Sequence, residues 1–260
     1  YPGAYTMKRL FLLSAVALAL TACSEAPQTS TASQPATTAE SAQLSESERL
    51  NAWFEEKYEQ QLQFSPLMMT RLGRKERYDQ IDDMSEQGQE KRLQWMAATV
   101  DELQANFDYS KLDEDTKISY DIWMFQFEQA KKQAEFRRRN YVLTQMNGMQ
   151  SMLPTLLINY HKVAEISDME AYISRLEGVG RAVEQLTSRV AINADEGVKA
   201  PYFAYEGVIK QSKAIISGKP FDADSDQDSS LLADVKTKVA ALQESGEITA
   251  EQAATFIEEA

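Results

Sequence analysis

Few side chains in this sequence have the chemistry of a nucleophile, a general base or a soft metal ligand. The 260 residues include one cysteine, Cys23, and one histidine, His161. A single cysteine forms no internal disulfide, and one histidine with one cysteine builds no His/Cys zinc cluster of the usual kind. His161, between Tyr160 and Lys162, has no cysteine partner in the folded body, and no serine partner is identifiable. A lone histidine is more often structural than catalytic, so no catalytic role is assigned to it. The run "DADSDQD" at 222–228 resembles a calcium loop, but an EF-hand needs Gly at its sixth place and Glu at its twelfth. Counted from Asp222 those places hold Gln227 and Ala233, and counted from Asp224 they hold Ser229 and Val235. It reads as a solvated acidic loop leading into a helix, with weak calcium binding the lesser alternative. Gly178-Val179-Gly180 lies in a helical stripe and follows no strand, so close helix packing explains it better than a phosphate loop. The sequence holds no H-E-x-x-H, G-x-S-x-G or Walker pattern. No catalytic, cofactor-binding or metal-binding residue is therefore assigned to the chain.

Cys23 has a different context. From Met7 the order is Lys8-Arg9, the apolar segment "LFLLSAVALALTA", then Cys23. That is a positive n-region, an h-region and small residues at a cleavage site. As a helix the apolar segment would reach about 20 Å, short of the ~30 Å hydrocarbon core, which disfavours a permanent span. Leu20-Thr21-Ala22-Cys23 is similar to the bacterial lipobox, which implies cleavage before Cys23 and lipid attachment to it; the alternative is a plain secretory signal with a chance cysteine. The resulting expectation is a lipid-anchored protein of the bacterial cell envelope, its membrane partner engaged through acylated Cys23. Ser24 follows, with no Asp to retain the protein at the inner membrane, so the outer membrane, facing the periplasm, is expected.

The elements that would carry any chemistry begin after a tether. Residues 24–43 have no aromatic and no large aliphatic side chain and cannot offset the entropy of ordering. They read as a flexible linker, with a glycosylated stalk as the sharper alternative. The organisation expected is thus residues 1–22 as upstream residues and signal peptide, 23–44 as anchored linker, and 45–260 as a helical domain. Net charge is −13; without Lys8 and Arg9 the balance is 25 basic against 40 acidic residues, or −15. Such a surface repels phosphate backbones, so no nucleic-acid partner is expected.

After Leu44 the periodicity is helical throughout and the fold class is all-α. Ser45 and Glu48 form a capping box ahead of Leu50, Trp53, Phe54, Tyr58 and Leu62. Pro66 starts a short helix that Gly73 can end. Ser85 opens a helix through Leu93, Met96, Val100, Leu103 and Phe107. Asp113 caps a long one through Ile118, Ile122 and Phe125 to Arg137-Arg138-Arg139, where cations suit the dipole. Ser167 and Glu170 box a helix with Ile173, Leu176, Val179, Val183, Leu186 and Val190. Pro201 and Gly218 bracket the next, and Leu231 to Leu242 mark another. Residues 141–161 are less regular, with an Asn147-Gly148 turn signal and Pro154 in an apolar run. Their methionines could line a cleft, although such stretches more often belong to a core. Thr249 and Gln252 open a last helix that no Gly, Lys or Pro closes. With "YPGAYT" ahead of Met7, the chain reads as a fragment that runs past its true start and stops before its true end.

Three segments carry a family resemblance. "SPLMMTRLGRKERYDQIDDMS" (65–85) resembles the N-terminal signature of the bacterial family labelled domain of unknown function 885, through Pro66, Thr70, Gly73, Tyr78 and Asp79. "MNGMQSMLPTLLINYHKVAEISDMEAYISRLEGVG" and "EGVKAPYFAYEGVIKQ" are similar to later parts of it. The resemblance implies a longer, often lipid-anchored protein similar to helical zinc metallopeptidases of the gluzincin type. In those, a His-Glu helix and a Pro-Gly-His-His stretch occupy the C-terminal half, and nothing here matches them. It implies that this chain is the N-terminal part of a larger helical domain, without cofactor of its own, and that zinc belongs to the full-length protein. That protein is expected to act on short peptides. The rival expectation is a non-catalytic, lipid-anchored helical binding or scaffold module.

Overall fold

In the computed structural model, residues 44–260 are described, and Cys23, the apolar segment and most of the linker lie outside them. Among the described residues the regular elements are helical: α1 (Glu46–Leu62), α2 (Pro66–Arg71), α3 (Glu86–Asn106), α4 (Glu114–Glu135), α5 (Met149–Tyr160), α6 (Ile166–Asp195), α7 (Tyr202–Ile215), α8 (Ser230–Glu244) and α9 (Ala250–Glu259). The all-α expectation is met, the one extended pairing being an isolated bridge from Lys219 to Asp228 in the α7–α8 loop. No described helix is long and apolar enough to cross a membrane.

The helix starts follow local chemistry. The Ser45 side chain accepts from the Glu48 amide while Glu48 accepts from the Ser45 amide, and Thr249 and Gln252 repeat the arrangement at α9. Ser85, Asp113 and Ser229 each supply one oxygen to an otherwise unpaired amide at α3, α4 and α8. Pro66 at the first position of α2 and Gly73 at φ +78° just past its end confine that helix to six residues. The α6 start differs from expectation. It lies at Glu165, and Asp168 supplies the carboxylate that accepts from the Ala164 and Glu165 amides at 2.9 and 3.2 Å. Ser167 falls inside the helix, because an aspartate three residues past Glu165 caps those amides first.

Among the described residues, three clusters of buried side chains form the core. Leu50, Trp53, Leu103 and Leu112 join α1, α3 and the turn before α4, flanked by Phe54, Phe107 and Trp123. Leu157, Met169, Tyr172, Val235, Val239, Leu242 and Phe256 join α5, α6, α8 and α9. Between them Leu67, Ile81, Leu153, Leu156 and Ala182 tie α2 and the 72–85 connection to α5 and α6. Each fully buried aliphatic side chain contributes about 1.5–3 kcal/mol of transfer free energy. Residues 149–160, read as irregular, form a helix that contains Pro154, and its leucines belong to these cores.

Two stripes sit elsewhere than periodicity placed them. On α4, Ile118, Ile122 and Phe125 face solvent, 58%, 50% and 62% exposed, while Thr116, Tyr120, Trp123 and Met124 face α1 and α3. Both faces of this helix are apolar, so spacing alone could not choose between them. On α6 the buried line runs through Asp168, Tyr172, Arg175, Gly178, Ala182 and Leu186. Ile173, Leu176 and Val179 only flank it, and Val183 is exposed.

Candidate functional site

Among the described residues, a deeply buried polar group is built around Arg175, which has no exposed surface. Its Nε donates to the Gln80 carbonyl at 3.0 Å, and its Nη2 donates to Thr70 Oγ1 at 2.7 Å and to the Pro66 carbonyl at 3.4 Å. Its Nη1 donates to His161 Nδ1 at 3.0 Å. The ring of Tyr78 lies 4.9 Å from the guanidinium carbon and stacks on His161 at 4.0 Å. Tyr78 in turn donates its hydroxyl to the Lys162 carbonyl at 3.0 Å and accepts from the Lys162 amide. The node thus joins α2, the 72–85 connection, the end of α5 and the middle of α6.

A guanidinium only donates, so His161 Nδ1 must carry a lone pair and its proton sits on Nε2. That Nε2 donates to the Asp168 carbonyl at 2.9 Å. Burial and the neighbouring Arg175 charge push the His161 pKa down to about 4, so the ring is neutral at physiological pH. Burial likewise lowers Arg175, to about 10, which leaves it charged at neutral pH. No carboxylate pairs with Arg175 among the described residues. Its charge is solvated by three oxygens, one ring nitrogen and one aromatic face. Asp168 is 2% exposed; burial alone would raise its pKa, but the Lys75 ammonium at 2.7 Å and the Ala164 and Glu165 amides outweigh burial and hold it low. Tyr172, edge-on to His161, is pushed well up by burial and by donating to Asp234 at 2.7 Å.

This arrangement cross-links α2, the 72–85 connection, α5 and α6. Both His161 nitrogens are engaged, so the ring has neither a lone pair for a metal nor a free site for a substrate proton. Among the described residues no three His, Cys, Asp or Glu side chains come together as a metal site. The acidic loop at 222–228 is exposed, and Asp228 binds Lys236 at 2.7 Å, leading into the Ser229 cap. Gly178 packs closely, as its place in the stripe suggested: an added Cβ would stand 2.8 Å from Ile81 Cγ1. Gly180 has open space and no such reason. The arginine run follows α4 as a 3-10 turn and ties it to its neighbours. Arg137 pairs with Glu90 at 2.8 Å, and Arg138 reaches Glu86 and Glu196 at 2.8 and 2.7 Å.

The family model described as bacterial protein of unknown function (DUF885) matches residues 66–260. The chain belongs to this family. No curated protein and no solved structure matches the chain significantly. In this DUF885 chain the signature residues Pro66, Thr70 and Tyr78 converge on the Arg175–His161 node, and Asp79 offers its carbonyl to Ser174 Oγ at 3.1 Å. Of these, Thr70 and Tyr78 support the buried cation through their side chains, and Pro66 through its carbonyl. Arg175 itself escaped sequence reading, since a charged side chain is discounted in an apolar stripe. Its register with Tyr172 and Ala182 was the available signal.

Proposed function

We propose that this DUF885 chain is the N-terminal helical part of an envelope lipoprotein, anchored through acylated Cys23, whose complete form is a zinc-dependent peptidase acting on short peptides. Family membership supports the helical body. The peptidase chemistry rests on the resemblance to gluzincin-type enzymes. Within that reading residues 44–260 are supporting walls and no catalytic step is routed through them. One observation carries that division of labour: His161, the sole histidine, donates from Nε2 and accepts at Nδ1 inside the core. The zinc ligands and the base that activates water would then lie on residues other than these.

The test is the product of the uninterrupted reading frame, assayed for zinc and for peptide hydrolysis before and after chelation. Stoichiometric zinc with hydrolysis lost on chelation is expected. Hydrolysis indifferent to chelator, or a frame without a His-Glu helix, overturns the peptidase reading. Mass spectrometry of the mature N-terminus tests the anchor; an uncleaved chain with unmodified Cys23 overturns it. The second reading, a lipid-anchored binding module without chemistry, is favoured by a separate cleft beside α3.

A further inference from the structure

A cleft of about 370 Å³ opens between the first half of α3, the last turns of α4 and the second half of α6, beside the Asp82–Met84 connection. Its volume is that of a small-molecule site. Arg92, Arg137 and Arg189 stand on its wall, in a chain of net charge −13. Arg137 spends one Nη on Glu90 and its Nε on the Ala134 carbonyl. Arg92 makes one long bond, 3.4 Å, to the Phe64 carbonyl. Half-buried Arg189 donates Nη1 to the Met84 carbonyl at 3.0 Å and has no carboxylate partner among the described residues. A guanidinium has five N–H donors, so most of those of Arg92 and Arg189 remain for a ligand.

Asp82 and Asp83 line the same cleft but form no ion pair with these cations. Asp82 accepts from Ser65 Oγ at 2.6 Å and from the Leu67 amide at 3.0 Å. Asp83 accepts from the Ser85 amide and hydroxyl and from Gln185. Both oxygens of Asp82 and Oδ1 of Asp83 are thus engaged in holding the 82–85 connection. Leu93, Met96 and Ala130 supply an apolar wall.

We propose that this cleft binds a small organic anion: a carboxylate held by the forks of Arg189 and Arg92, with its hydrocarbon body against Leu93 and Met96. Arginine forks match carboxylate geometry bidentately, which an exposed lysine patch would not do. The inference holds whether the complete protein is a peptidase or a binding module, and it needs no metal.

Isothermal titration of the purified chain with hippurate, a carboxylate with an apolar ring, tests it against hippurate methyl ester and inorganic phosphate. Hippurate is expected to bind at least about tenfold more tightly than either, the ester lacking the charge-assisted fork and phosphate lacking the apolar body. Arg189→Gln and Arg92→Gln should each weaken hippurate about tenfold or more, Arg189→Lys should recover part of it, and Arg49→Gln on α1 should leave it unchanged. Arg92→Gln keeps the experiment decisive if loss of the Met84 contact unfolds the Arg189 variant. The proposal is overturned if hippurate does not bind, if ester or phosphate binds as well, or if the folded Arg92 variant binds like the parent.

Discussion

Arg175 donates to Nδ1 of His161 across 3.0 Å, and that single contact fixes the tautomer of the only histidine in the chain. It also makes protonation of the ring costly, since an imidazolium would confront the guanidinium with no lone pair. The His161 pKa is about 4 in the folded protein against 6.5 for the free side chain. Unfolding therefore takes up a proton between those values, and stability falls as pH is lowered through that window. The contribution, fully present above pH 6.5, is of the order of 3 kcal/mol and is lost by about pH 4. Denaturant titrations from pH 4 to 7 should show this slope, and His161→Gln should flatten it; an unchanged slope in the variant would place the proton uptake elsewhere.

Removing either partner should be expensive. His161→Leu leaves a buried guanidinium donor unpaired, and Arg175→Met leaves the Gln80 carbonyl, Thr70 Oγ1 and His161 Nδ1 without their donor, while the Pro66 carbonyl keeps that of Thr70. Each change should cost about 2–4 kcal/mol. The double variant should lie about 1–3 kcal/mol short of the sum, because the second loss finds its contact already gone. Additive costs in urea melts would show that the pair is not coupled.

The two neighbouring glycines of α6 should respond in opposite directions. Gly178→Ala drives a methyl to 2.8 Å from Ile81 Cγ1, and overpacking of this kind costs about 1–3 kcal/mol. Gly180→Ala meets open space and should stabilise the helix by about 0.5–1 kcal/mol. Thermal melts of the two variants decide the point, and equal shifts would mean that helix propensity alone governs both.

The two faces of the first helical cluster provide a third contrast. Leu103 is wholly buried, and Leu103→Ala should cost about 2–5 kcal/mol. Ile122→Gln on exposed α4 should change stability by no more than about 0.5 kcal/mol. Guanidinium titrations measure both; a large cost at Ile122 would mean that this face is covered in solution.

These contrasts mark where the sequence could be read and where it could not. Caps are local chemistry, so Ser45 with Glu48, Ser85, Asp113 and Thr249 with Gln252 were legible from a few residues each. The choice between two apolar stripes on α4 depends on what α1 and α3 bring to it, which no single helix encodes. Arg175 was missed because its partners come from positions 66, 70, 80 and 161, and three of its four acceptor segments are more than 90 residues away. Reading Ser167 as the start of α6 failed for a smaller reason: two acceptable caps stood close together and Asp168 supplied the carboxylate.

Part of what the hub around the buried cation leans on is main chain. The carbonyls of Pro66 and Gln80 serve Arg175, that of Asp168 serves His161, and the main chain of Lys162 holds Tyr78. Substitutions at positions 80 and 162 leave those oxygens in place as long as the chain keeps its course. Evolutionary freedom should therefore be unequal around one and the same hub: wide where the hub asks for a path, narrow at Thr70, Tyr78, His161 and Arg175, where it asks for an atom.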